Sequence, residues 1–281
     1  MVEQRVVKIA NFEISNKHPI FLMAGPCQIE SKQHAIDMAG WLVEITKRRG
    51  INYIFKASFD KANRTSINSI RGVGLEKGME TFDEIKKLYG CPVVTDIHTE
   101  EQCAEVAKHV DVLQIPAFLS RQTDLLVAAA KTGKVIHVKK GQFAAPWEMK
   151  NVIQKSIDSG NPNICITERG SSFGYNTLVT DLKGLPQMAI DTGCPLIMDC
   201  THSVQQPGGQ GTSSGGQGWL APAMARAAIA VGVAGIFAET HDNPEKALSD
   251  GPNMIPLKDM ERQIENWQKY DAITKSIQIE Y

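Results

Sequence analysis

Eleven residues, Lys56-Ala57-Ser58-Phe59-Asp60-Lys61-Ala62-Asn63-Arg64-Thr65-Ser66, concentrate two lysines, one arginine, one asparagine and three hydroxyls. Ammonium and guanidinium groups offer charged donors and hydroxyls add neutral ones, a mixture suited to phosphate and carboxylate oxyanions. A solvated basic loop has the same composition, so the stretch needs support from elsewhere in the chain. Lys139, Arg169 and Arg121 add cations. Cys27, His202, Glu239 and Asp250 add a second kind of chemistry: one thiol, one imidazole and two carboxylates. Mixed S/N/O ligation suits a borderline divalent ion such as Zn²⁺, Fe²⁺ or Mn²⁺. A single buried cysteine is more often a small core residue. Cys200, two residues from His202, competes for the thiol position, although a structural role suits it better.

These groups need a scaffold that brings distant positions together. Short apolar runs recur at Ile20–Ala24, Tyr53–Phe55, Pro92–Thr95, Val110–Ile115, Lys134–Val138, Asn163–Thr167, Pro195–Met198 and Gly235–Ala238. Several are apolar on both faces, as expected of parallel strands covered on both sides. Between them, Gln33–Arg49, Leu75–Tyr89, Gln122–Thr132, Pro146–Ser159 and Ala221–Val231 carry helical apolar spacing. Gly90, Gly133, Gly160, Gly193 and Gly232 supply stop signals. Leu257 to Ile277 reads as a closing helix. Two alternating runs over residues 5–16, turning at Ala10-Asn11, predict a hairpin ahead of the main fold.

Eight strand–helix units with no linker or composition break predict a single (β/α)8 TIM barrel domain over residues 1–281. A doubly wound open sheet is the alternative, since periodicity does not show closure. No G-x-G-x-x-G follows the first strand, which argues against dinucleotide binding. Gln205–Gly218 stands apart, with six glycines and no aliphatic side chain. It is expected to be a long, mobile loop after the seventh strand, with the role of a lid.

The 281 residues hold 30 Lys plus Arg against 31 Asp plus Glu, so no global field favours nucleic acid or an anionic membrane. No apolar run reaches the length of a membrane span, and Met1-Val2-Glu3-Gln4-Arg5 lacks a secretory core. Six cysteines without C-x-x-C spacing do not make a disulfide scaffold. A cytoplasmic protein is expected.

In such a barrel the active site lies at the carboxyl ends of the strands. The expected ends carry Cys27 and Gln28, Lys56, Asp96 and His98, Gln114 with Pro116 and Phe118, Lys139-Lys140 and Gln142, Glu168-Arg169, Asp199 to His202, and Glu239 to His241. Ionisable groups at nearly every end exceed what solvation requires. Five or six cations around one mouth imply a substrate set carrying two phosphates, or a phosphate and a carboxylate, because such a cluster repels itself without its ligand.

The motifs Ala24-Gly25-Pro26-Cys27-Gln28-Ile29-Glu30-Ser31, Phe55 to Arg64, Gln114 to Asp124, Lys139-Lys140-Gly141-Gln142-Phe143, Glu168 to Tyr175 and Asp199-Cys200-Thr201-His202-Ser203 resemble the 3-deoxy-D-manno-octulosonate 8-phosphate synthases. The resemblance runs from the hairpin to the last helix. It implies condensation of phosphoenolpyruvate with D-arabinose 5-phosphate and water, on the route to lipopolysaccharide. It places Lys56, Lys61, Lys139 and Arg169 on phosphoenolpyruvate, with Gln114 and Ser58 nearby. Asn63, Arg64 and Ser214 fall to the sugar phosphate, and Arg121 to a neighbouring site in a homotetramer. Asp96, Pro116 and Phe118 line the cavity. Metal-free members carry Asn where Cys27 stands. Cys27, Pro207-Gly208-Gly209 and Ser249-Asp250-Gly251 resemble the metal-dependent branch, whose ligands map to Cys27, His202, Glu239 and Asp250. Cys27, Lys61, His202 and Asp250 form the implied catalytic group.

The nearest rival is the sister synthase that makes the seven-carbon heptulosonate phosphate from erythrose 4-phosphate. It resembles Lys-Pro-Arg-Thr where this chain reads Lys61-Ala62-Asn63-Arg64. An amidohydrolase barrel, which carries His-x-His at the first strand end, does not match Gly25-Pro26-Cys27. A non-catalytic sugar-phosphate sensor has no effector module here to support it.

Overall fold

The computed structural model describes residues 3–64, 66–209 and 214–277. Eight parallel strands run in sequence order: Phe21–Gly25, Tyr53–Lys56, Val93–Asp96, Val112–Ile115, Val135–Lys139, Ile164–Glu168, Leu196–Asp199 and Gly235–His241. Each pairs with the next. The seventh then pairs with the eighth (Ile197↔Gly235, Asp199↔Phe237) and the eighth with the first (Gly235↔Phe21, Glu239↔Gly25), which closes the barrel and excludes the open sheet.

A helix follows every strand. Lys32–Arg49, Leu75–Tyr89, Thr123–Lys131, Ala221–Val231 and Leu257–Ser276 fall close to their sequence expectation. The expected Pro146–Ser159 helix divides into a 3-10 turn at Pro146–Glu148 and an α-helix at Met149–Asp158. Glu100–Val106 and Gly184–Thr192 are short helices that apolar spacing did not single out.

Most strands begin or end later than their apolar runs. The shift has a physical origin, because inward-facing positions continue past the last hydrophobe as polar residues. The barrel's inner core contains Met23, Ile54, Val94, Val112, Val135, Cys165, Ile197 and Phe237. With a side-chain period of two, the next inward positions are Gly25, Lys56, Asp96, Gln114, His137 then Lys139, Thr167 then Arg169, Asp199, and Glu239. The interior is therefore greasy at its amino end and charged at its carboxyl end. The alternate residues, such as Leu22, Phe55, Leu113, Ile166 and Met198, face the helices and join the outer core.

The hairpin Val7–Ile9 and Phe12–Ile14 pairs in antiparallel register, Val7 opposite Ile14. Val7, Ile9 and Ile14 join the inner core, so the hairpin plugs the amino end. The glycine-rich segment is more ordered at its ends than expected. Gln205–Gln206 pairs with Gly215–Gly216, and Gln217 N–H donates to Val204 O at 3.0 Å. Thr65 and residues 210–213, part of the basic stretch and of the expected lid, lie outside the described residues. Among the described residues no helix is long and apolar enough to cross a membrane.

Candidate active site

The charged end of the barrel opens into a cavity of about 1310 Å³. Lys56, Lys61, Asn63, Arg64, Asp96, Gln114, Pro116, Phe118, Lys139, Arg169, His202, Ser214 and Asp250 all line it. Residues from seven of the eight strand–loop units therefore reach one space, although they are spread from Lys56 to Asp250 along the chain.

Lys56 is 1% exposed, and its ammonium donates to Cys27 O (3.0 Å), Ser58 Oγ (3.2 Å) and Glu239 Oε1 (3.2 Å). Ser58 thus sits beneath the cavity and acts on it through Lys56. Lys61 Nζ lies 4.0 Å from the same Glu239 oxygen. Burial works against the Lys61 charge, but Cys27, Glu239, Asp96 and Asp250 around it outweigh that and raise its pKa.

Opposite, Lys139 Nζ meets Asp199 Oδ2 at 2.5 Å and stands 3.5 Å from the Phe237 ring centroid. Burial lowers the Lys139 pKa, with Asp199 working the other way. The Asp199 carboxylate also accepts from His202 N at 2.8 Å and lies 2.8 Å from His202 Nδ1. Burial would raise its pKa, but His202 and Lys139 hold it well below the usual carboxylate range. Arg169 is buried, donates to Gln205 Oε1 at 3.1 Å, and is lowered by burial. Asp96 Oδ2 pairs with His98 Nε2 at 3.1 Å.

Buried atoms here without a hydrogen-bond partner among the described residues include Asp96 Oδ1, Gln114 Oε1, Arg169 Nη1 and Glu239 Oε2. Leaving a buried polar group unmatched costs about 1–3 kcal/mol. Several such atoms gathered at one site are the signature of groups that a ligand satisfies.

Three of the four expected metal ligands form a compact group, with His202 at its edge. Ligand atoms of Cys27, Glu239 and Asp250 lie within 4.8 Å of one another, and Cys27 Sγ is 3.2 Å from Asp250 Oδ2. His202 Nε2 joins them, 3.8 Å from Glu239 Oε1 and 4.0 Å from Asp250 Oδ2. Those separations, and the unmatched Glu239 Oε2, fit a mixed S/N/O divalent site with bonds of about 2.0–2.3 Å. Asp250 reaches its place with φ at +55°, in the left-handed region that aspartate enters more readily than most non-glycine residues. Gln205 Nε2 holds its other oxygen at 2.8 Å. Cys200 does not compete: it is fully buried, with its thiol directed to Phe237 O at 3.4 Å.

Arg64 is bound at the rim, donating to Gln28 Oε1 (2.6 Å), Ser249 Oγ (2.7 Å) and Leu248 O (3.2 Å). Arg121 does not line its own chain's cavity. Its side chain is 62% exposed and faces Glu148 at 3.3 Å.

Three contributors escaped the sequence reading in these roles. Asp199 was visible as a strand end, but its service to both Lys139 and His202 depends on barrel closure. Phe237 was recoverable, standing two residues before Glu239 on the same inward face. Gln205 lay in a segment read as loop.

A family model described as the DAHP synthetase I family matches residues 4–276. Proteins called 2-dehydro-3-deoxyphosphooctonate aldolase from Brucella canis, Brucella suis and Brucella ovis are each 60% identical over 271 residues, covering 96% of this chain and 98% of the relative.

Proposed function

The chain belongs to the DAHP synthetase I family, and on that premise we propose that it is a 3-deoxy-D-manno-octulosonate 8-phosphate synthase. It condenses phosphoenolpyruvate with D-arabinose 5-phosphate and water, releasing phosphate, in the cytoplasmic supply of a lipopolysaccharide core sugar. The whole chain serves as one barrel domain. The observation that carries this reading is one cavity lined by Lys56, Lys61, Lys139 and Arg169 together with His202 and Asp250, with Cys27 and Glu239 buried beside it.

The four cations bind the phosphate and carboxylate of phosphoenolpyruvate. Arg169 Nη1, buried and unmatched, supports an anion-binding role. Asn63, Arg64 and Ser214, on the cavity wall, take the sugar phosphate. This arrangement directs the enol carbon at the aldehyde and holds developing negative charge among fixed cations. Lys61 Nζ, kept protonated by its carboxylate neighbours, donates toward the oxyanion that forms at the aldehyde. Water then adds at the former enol carbon, and carbon–oxygen cleavage expels phosphate. Cys27, His202, Glu239 and Asp250 would hold a divalent ion, which would supply Lewis-acid chemistry beside the substrates.

The sister heptulosonate phosphate synthase shares the family name, so the acceptor is the decisive measurement. Steady-state assays with both aldehydes should show preferred turnover of arabinose 5-phosphate, and preference for erythrose 4-phosphate would sink the reading. Chelation should abolish activity, with Mn²⁺, Zn²⁺ or Fe²⁺ restoring it. Full activity after stripping would place the chain with the metal-free members.

A further inference from the structure

A second convergence of ligand-competent side chains lies beside the barrel mouth and does not line the cavity. Glu30 follows the first strand, His34 opens helix Lys32–Arg49, and His241 ends the eighth strand. Their ligand atoms lie within 4.8 Å of one another. The two imidazole rings are 4.6 Å apart between centroids, and His241 Nε2 is 3.3 Å from Glu30 Oε1.

We propose that Glu30, His34 and His241 form a second divalent transition-metal site, with Asp242 orienting both histidines. One oxygen, Asp242 Oδ1, lies 3.1 Å from His34 Nε2 and 2.9 Å from His241 Nδ1. An imidazole coordinates through one nitrogen while the other donates to a carboxylate, which fixes the tautomer and raises ligand basicity. Asp242 Oδ1 contacts His34 in that way and stands within reach of His241 Nδ1 for the same service once an ion is bound at Nε2. The opposite nitrogens, His34 Nδ1 and His241 Nε2, are buried and have no hydrogen-bond partner among the described residues. His241 is 4% exposed, so its orphan nitrogen is not satisfied by bulk water.

Asn243 N–H donates to His241 Nδ1 at 2.9 Å, so Nδ1 accepts and the proton sits on Nε2 in one tautomer, and the other tautomer gives up that bond. Nε2–H faces Glu30 in one, and Nδ1–H faces Asp242 in the other. A bound ion selects the second. Two imidazoles and one carboxylate suit Zn²⁺, Fe²⁺ or Co²⁺, and the partly exposed His34 leaves room for water to complete the coordination. Glu30 Oε1 also accepts from Leu248 N at 3.0 Å, so an ion here braces the loop that delivers Ser249 and Asp250.

The test is metal stoichiometry of the full-length protein. Chelator-stripped protein is equilibrated with Zn²⁺, freed of excess ion, and assayed for zinc per chain. His34→Gln and Glu30→Gln should each hold one ion fewer than the parent, with unchanged circular dichroism. With Co²⁺, the ion lost in these variants should carry no thiolate charge-transfer band, whereas the ion lost in Cys27→Ser should. Equal stoichiometry in the parent and both variants overturns the proposal and leaves a histidine–carboxylate ion-pair network in its place. That outcome is independent of the Cys27 site, which Cys27→Ser reports separately.

Discussion

Asp199 illustrates how much one side chain carries. It supplies the counter-charge for buried Lys139 and sits against both the backbone and ring of His202. Breaking a buried pair by removing one charge costs about 3–5 kcal/mol. Asp199→Asn should therefore lower the urea midpoint markedly and cut kcat by roughly 10–100-fold, the value of a charge-assisted hydrogen bond. Unchanged stability in that variant would contradict the assignment. His137 gives a pH signature. It is fully buried, and burial first, then nearby Lys139, lowers its pKa from 6.5 to about 3. Below pH 6.5 the unfolded chain takes up a proton that the folded chain refuses, so stability falls as pH drops from 6.5 toward 3. The slope from this group is up to about 1.4 kcal/mol per pH unit. His137→Gln should flatten that decline in urea titrations between pH 7 and pH 5. An identical slope in parent and variant would remove His137 from the account.

At the level of elements, the spacing of the first two strands matters most. A Cβ placed on Gly25 would stand 2.0 Å from Lys56 O, in the backbone of the next strand. Only glycine permits that approach, and the same strand pair carries Cys27 and Lys56 into the site. Gly25→Ala should force the strands apart, costing about 1–3 kcal/mol or more, and should lower kcat together with stability. A fully active and stable Gly25→Ala enzyme would show that the pair tolerates separation. The loop Gly251–Asn253 is comparably constrained, since a Cβ on Gly218 would meet Pro252 O at 2.7 Å. The ends of the glycine-rich segment are thus seated against the loop that delivers Asp250.

At the scale of the whole molecule, Arg121 is the informative residue, because it is exposed and lies outside its own cavity. If a neighbouring subunit's site receives it, Arg121→Ala should raise KM for arabinose 5-phosphate while leaving KM for phosphoenolpyruvate unchanged. Light scattering should report a tetramer for both proteins. Unchanged KM for both substrates would confine Arg121 to its contact with Glu148.

Much of this architecture was legible along the chain. Eight apolar runs alternating with helical spacing imply strand and helix order, because burial on both faces leaves near-continuous hydrophobic stretches. The ionisable side chains at successive strand ends were legible too, and the fold gathers many of them around one cavity. Which parity of each strand faces inward was not readable. A strand buried on both sides hides its inner face, and closure between Leu196–Asp199 and Gly235–His241 decides it. Closure also brings Cys27 within 3.2 Å of Asp250 across most of the sequence, joins Asp199 to Lys139, and sets His34 against His241. Ligand distances between remote positions depend on barrel register, which only the folded chain possesses.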